Sequence, residues 1–363
     1  MDIEIKNIYK ALPETAKKNL VTIGDIANEL NTDIFLVGGP VRDFILGKKS
    51  IDLDIAVPDD GIRFATILAN RINGDIKVYR ERLTATVILP DLNTIDVATL
   101  RNETYDYPGS LPAVKPISDI VTDLSRRDFT INAMAIKLNS KTTSSLVDPF
   151  NGYNDVHSGI IKFLHNKSFI DDPTRILRAI RFEIRLGFRI DEQTLKALKN
   201  AIASNAHKTI SGQRYIKEIN LYLDETKPLR YLERAYELGI MTDIIPDRGS
   251  LKEVKNFFDK IENEKKIKNE HKKLLLFSAM FLHNTPNEIT NKANYFGMTK
   301  KQKSTIIDTK LILNVLKNEP GKIESVIKRY GDHAKLLAYI VSDNKILFSY
   351  IKNELAILSK DVS

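Results

Sequence analysis

The rhythm of apolar residues changes partway along this chain, and that change limits the fold more than any other feature. Before about residue 165, short segments alternate with period two or run apolar for a few residues, as strands do. Ile34-Phe35-Leu36-Val37 is such a run, closed by Gly38-Gly39, and Ile51-Asp52-Leu53-Asp54-Ile55-Ala56-Val57 alternates. Val78-Tyr79, Thr86-Val87-Ile88-Leu89 and Thr94-Ile95-Asp96-Val97 read as further strands, and Val41 to Gly47 as a short helix. Residues 101–125 hold three prolines and one glycine with little periodicity, so they read as a long loop. From Asp171 onward strand signals disappear. Asp172-Pro173 opens a helix with an acidic cap and a proline in the first turn. Ile176, Leu177, Ile180, Ile184 and Leu186 follow at near-helical spacing, and Gly187 ends the helix. Amphipathic helices with short loops continue from there. The expected class is α+β, an N-terminal domain with a small β-sheet followed by an all-helical remainder.

Size and composition narrow the function. At 363 residues two or three domains are expected. The longest apolar run, Leu274 to Leu282, is too short to span a bilayer, and MDIEIKNIYK lacks the apolar centre of a secretory signal. A cytoplasmic protein without a membrane partner is therefore expected. The absence of cysteine excludes disulfides, zinc–thiolate sites and a thiol nucleophile. A net charge of +8 favours a polyanionic partner, weakly on its own. The lysines and interleaved glutamates of Lys252 to Lys273 read as a solvated helical face.

On a strand, Asp52 and Asp54 project from the same face. Two adjacent carboxylates repel each other and favour a divalent cation between them. Mg²⁺ suits such a place because it is held by one or two carboxylates plus substrate phosphates. Asp96 offers a third ligand from a later strand. Two metals held this way stabilise the attacking and leaving oxygens of a phosphoryl transfer. The competing reading is a solvent-facing strand whose aspartates bind nothing, and the preceding segment weighs against it. Backbone N–H groups at the Gly38-Gly39 turn and the helix start after it can cradle a triphosphate. No Walker-type glycine loop is present, so the grip would be a different one.

The segment LVGGPVRDFILGKKSIDLDIAV resembles the signature of the class II tRNA nucleotidyltransferase and bacterial poly(A) polymerase family, within the polymerase-β superfamily. Four more segments resemble later family motifs in order: Asp123 to Ala133, Asp148 to Gly152, Asp171 to Phe182, and Ser211 to Arg214 with Glu218. The resemblance covers roughly residues 30–245. It implies a polymerase-β-like catalytic head over residues 1–165, a helical neck for base selection over 166–225, and a helical body and tail for tRNA over 226–363. It also implies a catalytic set of Asp52, Asp54 and Asp96, with Mg²⁺ on Asp52 and Asp54. Gly38, Gly39, Arg42 and Asp43 would serve the triphosphate. Arg126, Asp128 and Asn132 would serve the ribose and phosphates, with Asp128 choosing ribose over deoxyribose.

In the same family an Asp and an Arg matching Asp172 and Arg175 pair with the base edge of the incoming nucleotide, in place of a nucleic-acid template. Asp171 stands where the family usually has Glu. Asp172 and Arg175, three apart, are expected to share a helix face; capping by Asp171 or Asp172 is the competing role. Arg178 and Arg181 continue that helix as phosphate contacts or plain surface. Arg101 with Glu103 or Asp106 matches the basic/acidic pair of the family's flexible loop. His271 and His283 read as structural, because no metal-ligand set accompanies them.

The expected reaction is addition of CCA, or part of it, to the tRNA 3′ end from CTP and ATP. An A-adding enzyme and a poly(A) polymerase would carry nearly the same motifs; no arginine-rich C-terminal stretch supports the latter. A catalytically inactive RNA-binding module and a small-molecule nucleotidyltransferase are the answers from other classes.

Overall fold

The structure, a computed structural model, describes residues 2–4, 14–48, 53–139, 143–264, 267–344, 347–348 and 350–351. The chain divides into two compact units, Met1–Arg175 with Leu186–Ala201, and Ile176–Arg185 with Ile202–Ser363.

The first unit is built on a sheet. Its strands are β1 (Asp2–Glu4), β2 (Phe35–Val37), β3 (Leu53–Val57), β4 (Asp75–Tyr79), β5 (Thr84–Ile88), β6 (Thr94–Thr99), β9 (Ala135–Lys137) and β10 (Thr143–Val147), with β7 (Arg101–Thr104) and β8 (Ala113–Pro116) forming a separate hairpin. Among the described residues the order is β1-β10-β9-β2-β3-β6-β5-β4, with β3 and β6 parallel and every other neighbouring pair antiparallel. The apolar run of β2 is buried throughout, as an unalternating run requires. At the edge, β4 exposes Asp75 and Lys77, charges that discourage pairing with another chain. The helix Gly61–Arg71 starts where the Asp60 carboxylate accepts the Arg63 N–H at 2.9 Å, and it packs Phe64, Ala65 and Leu68 towards β5 and β6. Phe35, Val37, Ala56, Leu100, Leu124, Ala133 and Ala135 form a continuous core cluster beside the strands that carry the candidate site.

Residues 101–125 are not a loop. They form the β7–β8 hairpin and then the helix Ile120–Ser125, capped by Asp119 through the Val121 and Thr122 N–H groups at 3.3 and 2.8 Å. The hairpin does alternate in burial, but its half-buried positions on β7 are Arg101 and Glu103. They turn inward as an ion pair, so a search for apolar alternation passes over them. A two-residue parallel pair, β11 (Ile160–Ile161) with β12 (Arg189–Ile190), also places a strand after Asp171. It is too short to carry a period. The helix expected after Asp172-Pro173 runs Thr174–Leu186, and Gly187 follows at φ +71°.

The second unit is helical. In Arg248–Asn263, Val254, Phe258 and Ile261 turn inward while Lys252, Glu253 and Asp259 stay exposed, which is the solvated face the sequence suggests. Leu275 to Ala279 are buried without interruption, so the end of helix Asn269–Ala279 is enclosed on all sides. The buried Tyr222 donates its hydroxyl to the Leu177 carbonyl at 2.8 Å, satisfying the one polar atom it takes inside. Among the described residues no helix is long and apolar enough to cross a membrane.

Candidate active site

Asp54 of β3 stands directly beside Asp96 of β6 in the parallel register, and residues so paired project from the same face. Asp54 is half-buried and Asp96 exposed. One Asp96 oxygen accepts the Thr86 hydroxyl at 2.6 Å from the neighbouring β5. Asp52 lies outside the described residues. Among the described residues no group of three or more His, Cys, Asp or Glu is gathered to hold a metal ion. The donors that are side by side are carboxylate oxygens, the type that Mg²⁺ takes.

Earlier in the chain, directly after β2, lies the Gly38-Gly39 turn. Gly38 has φ +73°, a backbone conformation that calls for glycine, and a Cβ added there would sit 2.9 Å from Arg127 Nη1, the movable end of a side chain. The Gly38 N–H donates to the Met134 carbonyl at 3.2 Å. Arg42, buried in the helix Gly39–Ile45, gives Nε and Nη2 to Asp43 Oδ1 at 2.9 Å each and Nη1 to Asn132 Oδ1 at 2.6 Å. A guanidinium accepts nothing, so the Asn132 oxygen must face it and the amide nitrogen must face away. That nitrogen donates to Asp128 Oδ1 at 3.0 Å, and the Phe129 N–H reaches the same oxygen at 2.8 Å. Asp43, Arg42, Asn132 and Asp128 thus form one continuous hydrogen-bonded chain.

A second network surrounds Arg126. Its Nη1 donates to Glu103 Oε1 at 2.8 Å, its Nη2 to Asp123 Oδ1 at 2.5 Å and its Nε to the Arg101 carbonyl at 2.9 Å. Arg127 Nη2 donates to the other Asp123 oxygen at 3.0 Å. Arg101 pairs with Glu103 at 3.0 Å and also donates to the Arg82 carbonyl. Burial, and then the Arg126 charge, lowers the Arg101 pKa. For Asp123 burial pulls upward, but Arg127 and Arg126 hold the carboxyl below its ordinary value.

The expected base-reading pair adjoins this network, with one change. Asp172 does not share a helix face with Arg175; it is extended and lies just before the helix. Its Oδ1 accepts the Thr174 N–H at 3.1 Å and the Thr174 hydroxyl at 2.6 Å, the capping arrangement that proline at 173 favours. Arg175 is buried, with Nη1 on Ser168 Oγ at 2.7 Å and Nη2 on the Arg126 carbonyl at 2.6 Å. These bonds use two of its five N–H donors. Tyr105 donates to Glu103 Oε2 at 3.2 Å, and burial, then the Glu103 charge, pushes its hydroxyl up to about 12.

Arg178 and Arg181 belong to the second unit, where they flank Glu218 at 4.0 and 3.7 Å and lie 5.6 and 5.3 Å from the centre of the Phe182 ring. His271 contacts His333 through ring nitrogens 3.1 Å apart. Thr86, Asp123 and Ser168 are absent from the sequence-based set. Only Asp123 left a local trace, as an acid three and four residues before two arginines.

Comparison with known proteins gives this geometry a context. Residues 34–162 match the poly A polymerase head domain, and residues 187–249 match a family described as the probable RNA and SrmB-binding site of polymerase A. The chain is 42% identical over 236 residues to an A-adding tRNA nucleotidyltransferase of Geobacter sulfurreducens, covering 65% of this chain and 27% of that protein. Over these matched segments the chain is similar to tRNA nucleotidyltransferases and poly(A) polymerases. A second relative, the A-adding enzyme of Halalkalibacterium halodurans, is 38% identical over 223 residues, 61% of this chain and 52% of its own length. The chain therefore spans about half or less of these two relatives. Among solved structures, a CCA-adding enzyme in apo form matches at TM-score 0.75 and 29% identity, covering 99% of this chain and 84% of the other. The Thermotoga maritima CCA-adding enzyme complexed with tRNA matches at 0.73 and 26%, covering 99% and 87%.

Proposed function

We propose that this chain transfers nucleotides from ATP or CTP to the 3′ end of tRNA without a nucleic-acid template. The observation that carries the proposal is the in-register pairing of Asp54 with Asp96 on adjacent parallel strands, within the segment that matches the polymerase head. In the reaction the RNA 3′-oxygen bonds to the α-phosphorus, the bond to the bridging oxygen breaks and pyrophosphate leaves. Asp54, with Asp52 and Asp96, would hold Mg²⁺, which when bound neutralises phosphate charge at the reacting centre. The Gly38-Gly39 turn and Arg42 receive the triphosphate. Asp128, fixed by Asn132 and the Phe129 N–H, accepts from the ribose hydroxyl. Asp172 and Arg175 read the base: cytosine and adenine each offer an amino group to the carboxylate and a ring nitrogen to the guanidinium.

Addition of A alone is favoured by identities of 42% and 38% to A-adding enzymes, against 30% to a multifunctional CCA protein of Xylella fastidiosa. Complete CCA addition is the second reading. It is favoured by likeness to CCA-adding enzymes solved with CTP and with ATP over 98% of this chain. Supplying one labelled triphosphate at a time to tRNAs ending at the discriminator base, at C and at CC separates them. A-adding activity labels only the CC-ending tRNA with ATP. CCA addition also incorporates CTP on the shorter ends, and no labelling with any pair would overturn the proposal.

A further inference from the structure

Asp123 touches no expected substrate position, yet it holds together the groups that do. It is 1% exposed, and its two oxygens are divided between neighbours. Oδ1 accepts Arg126 Nη2 at 2.5 Å, Arg126 Nε at 3.1 Å and the Arg101 backbone N–H at 3.1 Å. Oδ2 accepts Arg127 Nη2 at 3.0 Å. A buried carboxylate is costly unless paired, and adjacent guanidinium groups repel unless a charge separates them. Asp123 meets both conditions from within its own helix, three and four residues ahead of its partners.

Each bond it makes leads to the candidate site. The Arg126 carbonyl accepts Arg175 Nη2 at 2.6 Å, so the place of the Arg126 backbone sets the direction of Arg175. Arg127 lies against Gly38, at the turn expected to take the triphosphate. The Arg101 N–H fixes the start of β7, from which Glu103 reaches Arg126 and Tyr105.

We propose that Asp123 is a positioning residue for base choice: it locks Arg126 in place and, through the Arg126 carbonyl, aims Arg175 at the incoming base. This rests on the functional reading above. Neutralising Asp123 leaves Glu103 as the anionic partner of Arg101 and Arg126, and takes from Arg127 its bond to Asp123. Arg126 then shifts towards Glu103, and Arg175 loses its alignment while the carboxylate strands are untouched. The incoming nucleotide is still accepted, but adenine and cytosine lose their advantage over guanine and uracil.

The test is single-turnover incorporation of all four triphosphates onto CC-ending and shorter tRNAs, with thermal unfolding recorded for each variant. The set is the parent, Asp123→Asn, Arg175→Ala and the double variant. Asp123→Asn, folded at the assay temperature, is expected to reduce the preference for the parent's nucleotide by about tenfold. The double variant should be no less selective than Arg175→Ala alone, because two residues acting through one group are non-additive. An unchanged preference in Asp123→Asn, or losses that add in full, would overturn the inference. If Asp123→Asn does not fold, Arg126→Lys decides: it keeps a cation beside Asp123 but removes the fork, and an unaltered preference there overturns the inference equally. A parent that incorporates nothing overturns the functional reading and this inference with it. An active parent with selective variants overturns this inference alone.

Discussion

Asp96 stands exposed on β6 with Thr86 at one oxygen and half-buried Asp54 beside it, whereas Asp123 is buried with both oxygens taken by guanidinium groups. Both carboxylate groups belong to the first unit, and each matches its surroundings to a different task. Exposed acids at a sheet position cost little to keep charged and can take up a cation and phosphates when these arrive. Buried acids among arginines keep their charge because the bonds are made in advance, and what they supply is direction. On the proposed function, the difference separates a place for chemistry from a frame for choice, and substitutions in the two places should fail in different ways.

The largest effect belongs to the strand. Asp54→Ala should slow incorporation of every nucleotide on the order of a thousandfold, because it removes charge stabilisation at the reacting phosphate. Filter binding of tRNA should be near the parent's value. Incorporation within a fewfold of the parent would place the chemistry elsewhere and dissolve the contrast.

Asn132 sharpens the frame. Asn132→Ala removes the buried hydrogen-bonded link between Arg42 and Asp128, a cost of about 1–3 kcal/mol in stability. Preference for ATP over 2′-deoxy-ATP should fall about tenfold, since Asp128 loses the Asn132 donor that helps to fix it. If that ratio holds while the midpoint of thermal unfolding drops, Asn132 supports the fold and not the ribose.

A smaller effect tests the second unit alone. Burial, then the charges of Lys301 and His271, lowers the His333 pKa to about 4, against the opposing pull of Asp332. The unfolded chain takes up this proton near 6.5 and the folded chain only near 4. Stability from this group is therefore kept above pH 6.5 and lost as pH falls towards 4. His333→Gln, whose amide can donate to or accept from His271 Nδ1, should flatten the fall in unfolding temperature across that window. An equal slope in parent and variant would assign the acid sensitivity to other groups.

The contrast also explains what the sequence made legible. Apolar alternation exposed the Asp54 strand and the run of β2, because those strands bury apolar faces against a core. It gave no sign that Asp54 and Asp96 stand in register, which depends on a crossover of some forty residues. The β7–β8 hairpin escaped because its inward positions are Arg101 and Glu103. Glu103 pairs with Arg101 and also with Arg126, from 23 residues further along the chain, and these pairings make the burial tolerable. Asp172 was legible as a cap, but its place ahead of the helix was not; Pro173 moves the helix start beyond it. Ser168 left no signal, since a single serine becomes an anchor for Arg175 only through the turn between helices Ser168–Asp171 and Thr174–Leu186.

The central claim is that the carboxylate strands set the rate and the arginine frame sets the choice. It is tested most directly by measuring, in one experiment, the four nucleotide incorporation rates of Asp54→Ala and Arg175→Ala against the parent. Asp54→Ala is expected to lower all four by a similar large factor, leaving their ratios in place. Arg175→Ala is expected to lower the favoured nucleotide most and bring the four rates together. Ratios that collapse in Asp54→Ala, or that survive intact in Arg175→Ala, would contradict the account.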